Sequence, residues 1–175
     1  MIDAIADEAL VCHVAVAAEH GPIVIPTTHV RIGDQLYIHG AVANAMMSRV
    51  ATGAPTCVAI TLLDALVLSK TAFHHSVNYR SVILFASGRR VDDPAEKHAA
   101  FAALIDKVVP GRSKDCRLPN DKELHATQIV ALPLAEASAK IRTGPPLAED
   151  EADAGLPYWR GIIPLVTTRG EPIAD

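Results

Sequence analysis

With 175 residues, half of them apolar but only 4% aromatic, the chain has material for one domain whose core is filled by Ala, Val, Ile and Leu. A formal net charge of -4, from 20 acidic and 16 basic side chains, excludes an electrostatic nucleic-acid binder, which needs a basic face to neutralise phosphates. No apolar stretch approaches the roughly 18 residues that cross a bilayer, and three cysteines without framework spacing (Cys12, Cys57 and Cys116) behind an acidic start point to the cytoplasm.

In chain order, Ile2 to Ala9 reads as the end of a short amphipathic helix. Val11 to Ala18, Ile23 to Val30 and Leu36 to His39 are β-rich runs separated by Gly-containing turns, the pattern of consecutive hairpins. Ala41 to Ala51 carries good helix formers and stops at Thr52-Gly53-Ala54-Pro55. Thr56 to Leu63 and Leu66 to Phe73 are apolar runs either side of Asp64-Ala65, which predicts another hairpin. Tyr79 to Val91 is a longer strand, bent near Gly88. A helix opens at Asp93-Pro94 with apolar residues at helical spacing and ends at Pro110-Gly111. Thr127 to Leu134 and Ser138 to Arg142 are further strands, and 144–157 is a Pro-rich acidic loop with one helical turn. Six to seven strands with two or three covering helices predict a mainly β chain with α (α+β), a small barrel occupying residues 1–175 as a single domain. There is no βα alternation and no GxGxxG.

Eight histidines invite a metal reading, but none shows HxH or HExxH spacing, so no metal site is expected. His74 and His75 are adjacent, and on a strand they would point to opposite faces. Three stretches are richer in special residues than a barrel wall requires. Leu36 to Asn44 runs from a strand through Gly40 into a helix start, a place where unpaired N–H groups suit a phosphate or where glycine merely shapes a turn. His74 to Val82 packs hydrogen-bonding side chains into a strand start, and such groups need partners from a polar ligand or a polar subunit interface. Ser138 to Pro146 sets Lys140 and Arg142 on one strand face, as an anion contact or as edge protection.

Taken together and in this order, these stretches resemble the flavin-nucleotide-binding proteins related to pyridoxamine 5′-phosphate oxidase, near the nitroimidazole-resistance flavoproteins. The resemblance rests on Ile25-Pro26-Thr27, Tyr37-Ile38-His39-Gly40, the His74 to Val82 run, Val109-Pro110-Gly111-Arg112, Ser138 to Pro146, and Trp159-Arg160-Gly161-Ile162-Ile163-Pro164. It implies a split β-barrel that forms a homodimer with two FMN molecules at the subunit interface. It also implies that the backbone at Pro26, Thr27 and Thr28 edges the isoalloxazine ring. The turn at His39 and Gly40, with Asn44 at the helix start, would receive the phosphate. Asn78, Tyr79, Arg80 and Ser81 would close the pocket, Trp159 would approach from the partner subunit, and Lys140 and Arg142 would be anion or interface contacts. Where relatives carry basic residues, this chain has Asn44-Ala45, with Arg49 or Lys70 as compensating cations. The expectation is an FMN-dependent oxidoreductase acting on a small organic substrate, with His39 as the group for any proton transfer. The alternatives are a non-catalytic flavin carrier or sensor, or the same barrel holding a deazaflavin, a haem or no cofactor.

Overall fold

A computed structural model describes residues 1–147 and 150–174; Ala148 and Glu149, within the expected acidic loop, and Asp175 lie outside the described residues. The elements in chain order are α1 (Ile2–Glu8), β1 (Val11–Ala18), β2 (Gly21–Ile32), β3 (Gln35–Ala41), α2 (Ala45–Ala51), β4 (Pro55–Leu68), β5 (Ser76–Ser87), β6 (Arg89–Arg90), α3 (Pro94–Val108), α4 (Asp121–Ala126), β7 (Thr127–Pro133), β8 (Ala137–Arg142), α5 (Glu151–Ala154) and β9 (Gly161–Pro164). The chain divides into two compact units, Met1–Thr61 with Ser81–Ala139, and Leu62–Arg80 with Lys140–Asp175.

In the first unit the strands follow the order β6-β7-β3-β2-β1-β4-β5. β1 and β2 pair along their whole facing lengths, from Val11 opposite Thr28 to Ala18 opposite Gly21. Gly21, at φ 121°, lets the chain reverse there. Pairing of β2 with β3 is much shorter, from Ile32 opposite Gln35 to His29 opposite Ile38, while β3 runs on against β7 as far as Ala41. β2 and β3 therefore part company at Thr28 and His39. Alternation puts Cys12, Val14 and Val16 of β1 on one buried face, where Leu36, Ile38, Val58, Ile60 and Leu84 are also fully enclosed. The opposite face of β2, β3 and β7 supplies Val30, Tyr37, Ile129 and Ala131, which pack with Ala100 and Leu104 of α3. Each such fully buried aliphatic side chain contributes about 1.5–3 kcal/mol relative to exposure.

α3 starts where the sequence signals predict: the Asp93 carboxylate accepts from the Glu96 amide at 2.9 Å, and Pro94 occupies the first turn, where no amide donor is needed. Glu96 also ties the helix to the sheet, accepting from the Tyr37 hydroxyl at 2.8 Å and from the Arg89 guanidinium at 2.7 Å. α1 is held by its Ala6 carbonyl, which accepts from His29 Nε2 at 3.0 Å and from Lys107 Nζ at 2.7 Å. Burial beside that cluster pushes the Cys12 thiol up to about 12 and the Lys107 ammonium down to about 8.

In the second unit, the end of β4 pairs with β9 from Ala65 opposite Pro164 to Leu68 opposite Gly161. The Asp64 carboxylate takes a fork of hydrogen bonds from Arg80, the shortest at 2.7 Å, and these hold its pKa below the usual carboxylate range.

Several sequence expectations are corrected. Asp64-Ala65 is no hairpin turn: β4 runs unbroken through it, because Ala65 does not readily take the positive φ that a tight hairpin needs and Asp64 is engaged by Arg80. His74 closes a 3₁₀ turn over Ala72–His74 and His75 follows it, so neither lies on the strand, which starts at Ser76. The helix expected from Ala41 begins at Ala45, since Ala41 still pairs with Thr127. The described residues form nine strands rather than six or seven, the additional short ones being β6, split from β5 at Gly88, and β9. α4 was not anticipated, although Asn120 and Glu123 form a complete capping box at its start.

Candidate functional site

The divergence of β2 and β3 opens the most distinctive feature of the first unit. Beyond His29, residues 21–28 of β2 have no strand pairing with β3 and are paired on one side only, with β1. Thr27 and Thr28 are half-buried and Pro26 is exposed. A cleft of about 490 Å³ lies at the parting point, lined by Thr28 and His39 from the strands, Phe101, Leu104, Ile105 and Val108 from α3, and the segment carrying Val109, Arg112, Arg117, Pro119 and Glu123.

His39 faces this cleft from β3, its ring edge-on to Phe101 at 5.9 Å. Neither of its ring nitrogens makes a hydrogen bond among the described residues, and Nδ1 is enclosed without a partner. Burial lowers its pKa, so the imidazole is held in the neutral form. At the rim, Arg117 is committed to Glu123 through contacts of 2.8 and 2.9 Å, which drive the Glu123 carboxyl down to about 2. Arg112 makes no side-chain hydrogen bond or ion pair among the described residues and is exposed.

Gly40 stands on the other face of β3. A Cβ there would come within 2.8 Å of the Met47 side chain, so glycine is what lets α2 approach. Successive strand residues point to opposite faces, so the His39 side chain and the start of α2 are not one pocket. The side-chain oxygen of Asn44 accepts from the Met47 amide at 3.1 Å, making Asn44 the cap of its own helix.

The remaining sequence candidates lie mostly in the second unit, and they find partners within the chain. Asn78, almost fully buried, donates to the Gly144 carbonyl at 3.1 Å and accepts from Arg142 at 2.6 Å. Lys140 sits 5.9 Å from the centre of the Tyr79 ring. Arg80 is forked on Asp64, and Lys70 donates to the Ala154 carbonyl. Trp159 is exposed and lies against Gly161, where a Cβ would come within 2.6 Å of the indole. Ser81 is half-buried in β5, in the first unit. The polar run therefore has intrachain partners for Asn78, Tyr79 and Arg80 and does not by itself call for a ligand. Phe101, Leu104, Ile105 and Val108 read in the sequence only as the apolar stripe of a helix, and Arg117 and Glu123 carried no signal. Arg112 was legible as the end of Val109-Pro110-Gly111-Arg112.

Among the described residues no helix is long and apolar enough to cross a membrane, and no three His, Cys, Asp or Glu side chains converge.

A profile of the pyridoxamine 5′-phosphate oxidase family matches residues 1–141. Comparison with curated protein sequences finds no match. Among solved structures, the flavocytochrome Anf3 from Azotobacter vinelandii is 35% identical with a TM-score of 0.91, over 99% of this chain and 80% of that one. The FAD and haem binding protein from Mycobacterium smegmatis is 32% identical with a TM-score of 0.92, over 99% of this chain and 84% of that one. A candidate 5-nitroimidazole antibiotic resistance protein from Bacteroides thetaiotaomicron is similar in fold alone, at 19% identity and a TM-score of 0.66 over 79% of this chain and 80% of that one. The expected fold class, an α+β split β-barrel, is the one observed. With the family profile spanning most of its length and about a third of its residues shared with each of two structures along 99% of it, the chain belongs to the pyridoxamine 5′-phosphate oxidase family.

Proposed function

We propose that the protein is a redox flavoprotein of the flavocytochrome kind, binding a flavin and a haem and passing electrons to a small acceptor. The observation that carries this reading is the 35% and 32% identity, along 99% of the chain, to proteins described as a flavocytochrome and as FAD and haem binding. When bound, a flavin supplies hydride and electron chemistry that no side chain of this protein offers. The residues present fit a flavin ring: the stretch of β2 at Pro26, Thr27 and Thr28 is unpaired on the β3 side, an open edge of the kind a ring's pyrimidine edge would pair with. They fit the FMN monophosphate expected from the sequence less well. Asn44 spends its oxygen on its own helix, Ala45 adds no charge, and α2 has its one basic residue, Arg49, in the last turn. A localised dianion at that turn would lack its usual charge-assisted contacts, each worth about 1.5–3 kcal/mol. FAD, whose charge is spread over a pyrophosphate, is the flavin this arrangement favours.

The same reading includes a homodimer with the cofactor at the subunit interface. Val24 on the open part of β2, Phe85 on β5 and Trp159 are each more than half exposed and suit burial against a second copy. Chromatography of the flavin released by heating the purified protein tests the central claim. FAD is expected; FMN alone would restore the monophosphate reading, and no flavin after reconstitution with either would overturn both. Sedimentation velocity showing a folded monomer at micromolar concentration would overturn the dimer.

A further inference from the structure

Of the histidines in this chain, His39 is placed unlike those that serve the fold. His29 is bound to the Ala6 carbonyl, His75 to that of Thr71 and His125 to that of Asp121. His39 has no hydrogen-bond partner among the described residues, stands in an apolar cleft and has Phe101 as its ring neighbour. An enclosed imidazole nitrogen without a partner costs on the order of 1–3 kcal/mol. His29 Nδ1 is enclosed in the same way, but its ring is anchored through Nε2 on the Ala6 carbonyl, whereas the His39 ring has no such anchor among the described residues. The cleft of about 490 Å³ lies within the range of small-molecule and cofactor sites, roughly 300–1,000 Å³. Its walls are aliphatic and aromatic, and its rim carries a cation, Arg112, that pairs with no carboxylate among the described residues.

These features specify an occupant: broad and apolar in its body, anionic at one edge, and holding an atom that takes the lone pair of a neutral imidazole. A fatty acid would satisfy Arg112 and the walls, but its carboxylate only accepts and cannot take the lone pair of a neutral imidazole. The flavin ring proposed above pairs with the β2 edge at Pro26 to Thr28, so of this cleft's lining it shares Thr28 alone. Haem meets every requirement, since imidazole is one of its standard axial ligands and its propionates suit an arginine.

We propose that His39 is the axial ligand of a haem seated between β3 and α3, with Phe101, Leu104, Ile105 and Val108 against the macrocycle and Arg112 at a propionate. The assignment rests on the haem part of the function proposed above. The role of the chain's own groups is positional. β3 sets the imidazole, Phe101 limits its rotation, and the apolar wall excludes water from the iron face.

The test is titration of the purified protein with hemin, read by the Soret band and the pyridine haemochrome, with flavin content measured in parallel. Wild type is expected to take one haem per chain. His39→Ala should lose at least tenfold in hemin affinity with its flavin content and circular dichroism unchanged, and added imidazole should restore the band in His39→Gly. A His39→Ala protein with the wild-type band and affinity would overturn the ligand assignment while leaving haem binding intact. A wild type that takes no hemin would overturn both. Should His39→Ala not fold, His39→Met keeps the cleft filled and substitutes a sulfur ligand: a shifted spectrum supports the assignment and an unchanged one overturns it. Arg112→Glu should weaken hemin binding several-fold, and unchanged affinity would remove Arg112 from the site.

Discussion

The polar cluster of the second unit and the cleft of the first invert what their sequences suggest. Asn78, Tyr79, Arg80, Lys140 and Arg142 form a dense polar stretch that looks built for a ligand. In the fold Asn78 bridges Arg142 and Gly144, Arg80 is forked on Asp64, and Tyr79 faces Lys140. The cleft is announced by a helix stripe, one histidine, Thr28 and the end of Val109-Pro110-Gly111-Arg112, yet it holds an imidazole and a guanidinium with no partner among the described residues. The difference teaches that the density of polar residues along a chain measures how many hydrogen bonds must be made, not who makes them. A site is marked by what the fold leaves unsatisfied.

The largest expected effect contrasts two histidines of the first unit. His29 is fully buried and its pKa is lowered to about 4, by burial first and by the charge of Lys107 second. Its folded-state value lies below the unfolded one, so between about pH 6.5 and 4 the unfolded chain takes up a proton that the folded chain refuses. Stability is full above that window and falls by roughly 3 kcal/mol as the pH drops through it. Denaturant midpoints measured from pH 7 to 4 should show this loss, and His29→Gln should flatten the curve. An equally steep curve in that variant would assign the acid sensitivity elsewhere.

Next in size is Asn78→Leu, which leaves Arg142 only its longer contact to the Val77 carbonyl and takes the donor from the Gly144 carbonyl, and should cost about 2 kcal/mol. His39→Leu, equally a polar-to-apolar change, should cost less than about 1 kcal/mol or add stability to the cofactor-free protein, because no partner is orphaned. Urea unfolding of the two variants side by side decides the matter. If His39→Leu lost as much as Asn78→Leu, the cleft would be an ordinary part of the core and the contrast would fail.

The smallest effect is Arg112→Ala. It should move the stability of the cofactor-free protein by less than about 0.5 kcal/mol, as expected for an exposed side chain without partners. A melting temperature several degrees lower would mean that Arg112 already serves the fold.

Local signals in the sequence determined the hairpins at Gly21 and Gly33, the capped and Pro-opened start of α3, the break at Gly88, and the family membership carried by six short motifs. These depend on φ preferences, caps and alternation, all of which act over a few residues. The tertiary structure alone decided that β4 runs through Asp64-Ala65, since Arg80 holds Asp64 from 16 residues away. It also decided that the His74 to Ser81 run is largely provided for within the chain. The placement of His39 was settled at the same level, by where β2 and β3 stop pairing. Strand register and the packing of α3 are long-range choices. Which polar atoms end up without a partner is known only once every other one has been matched.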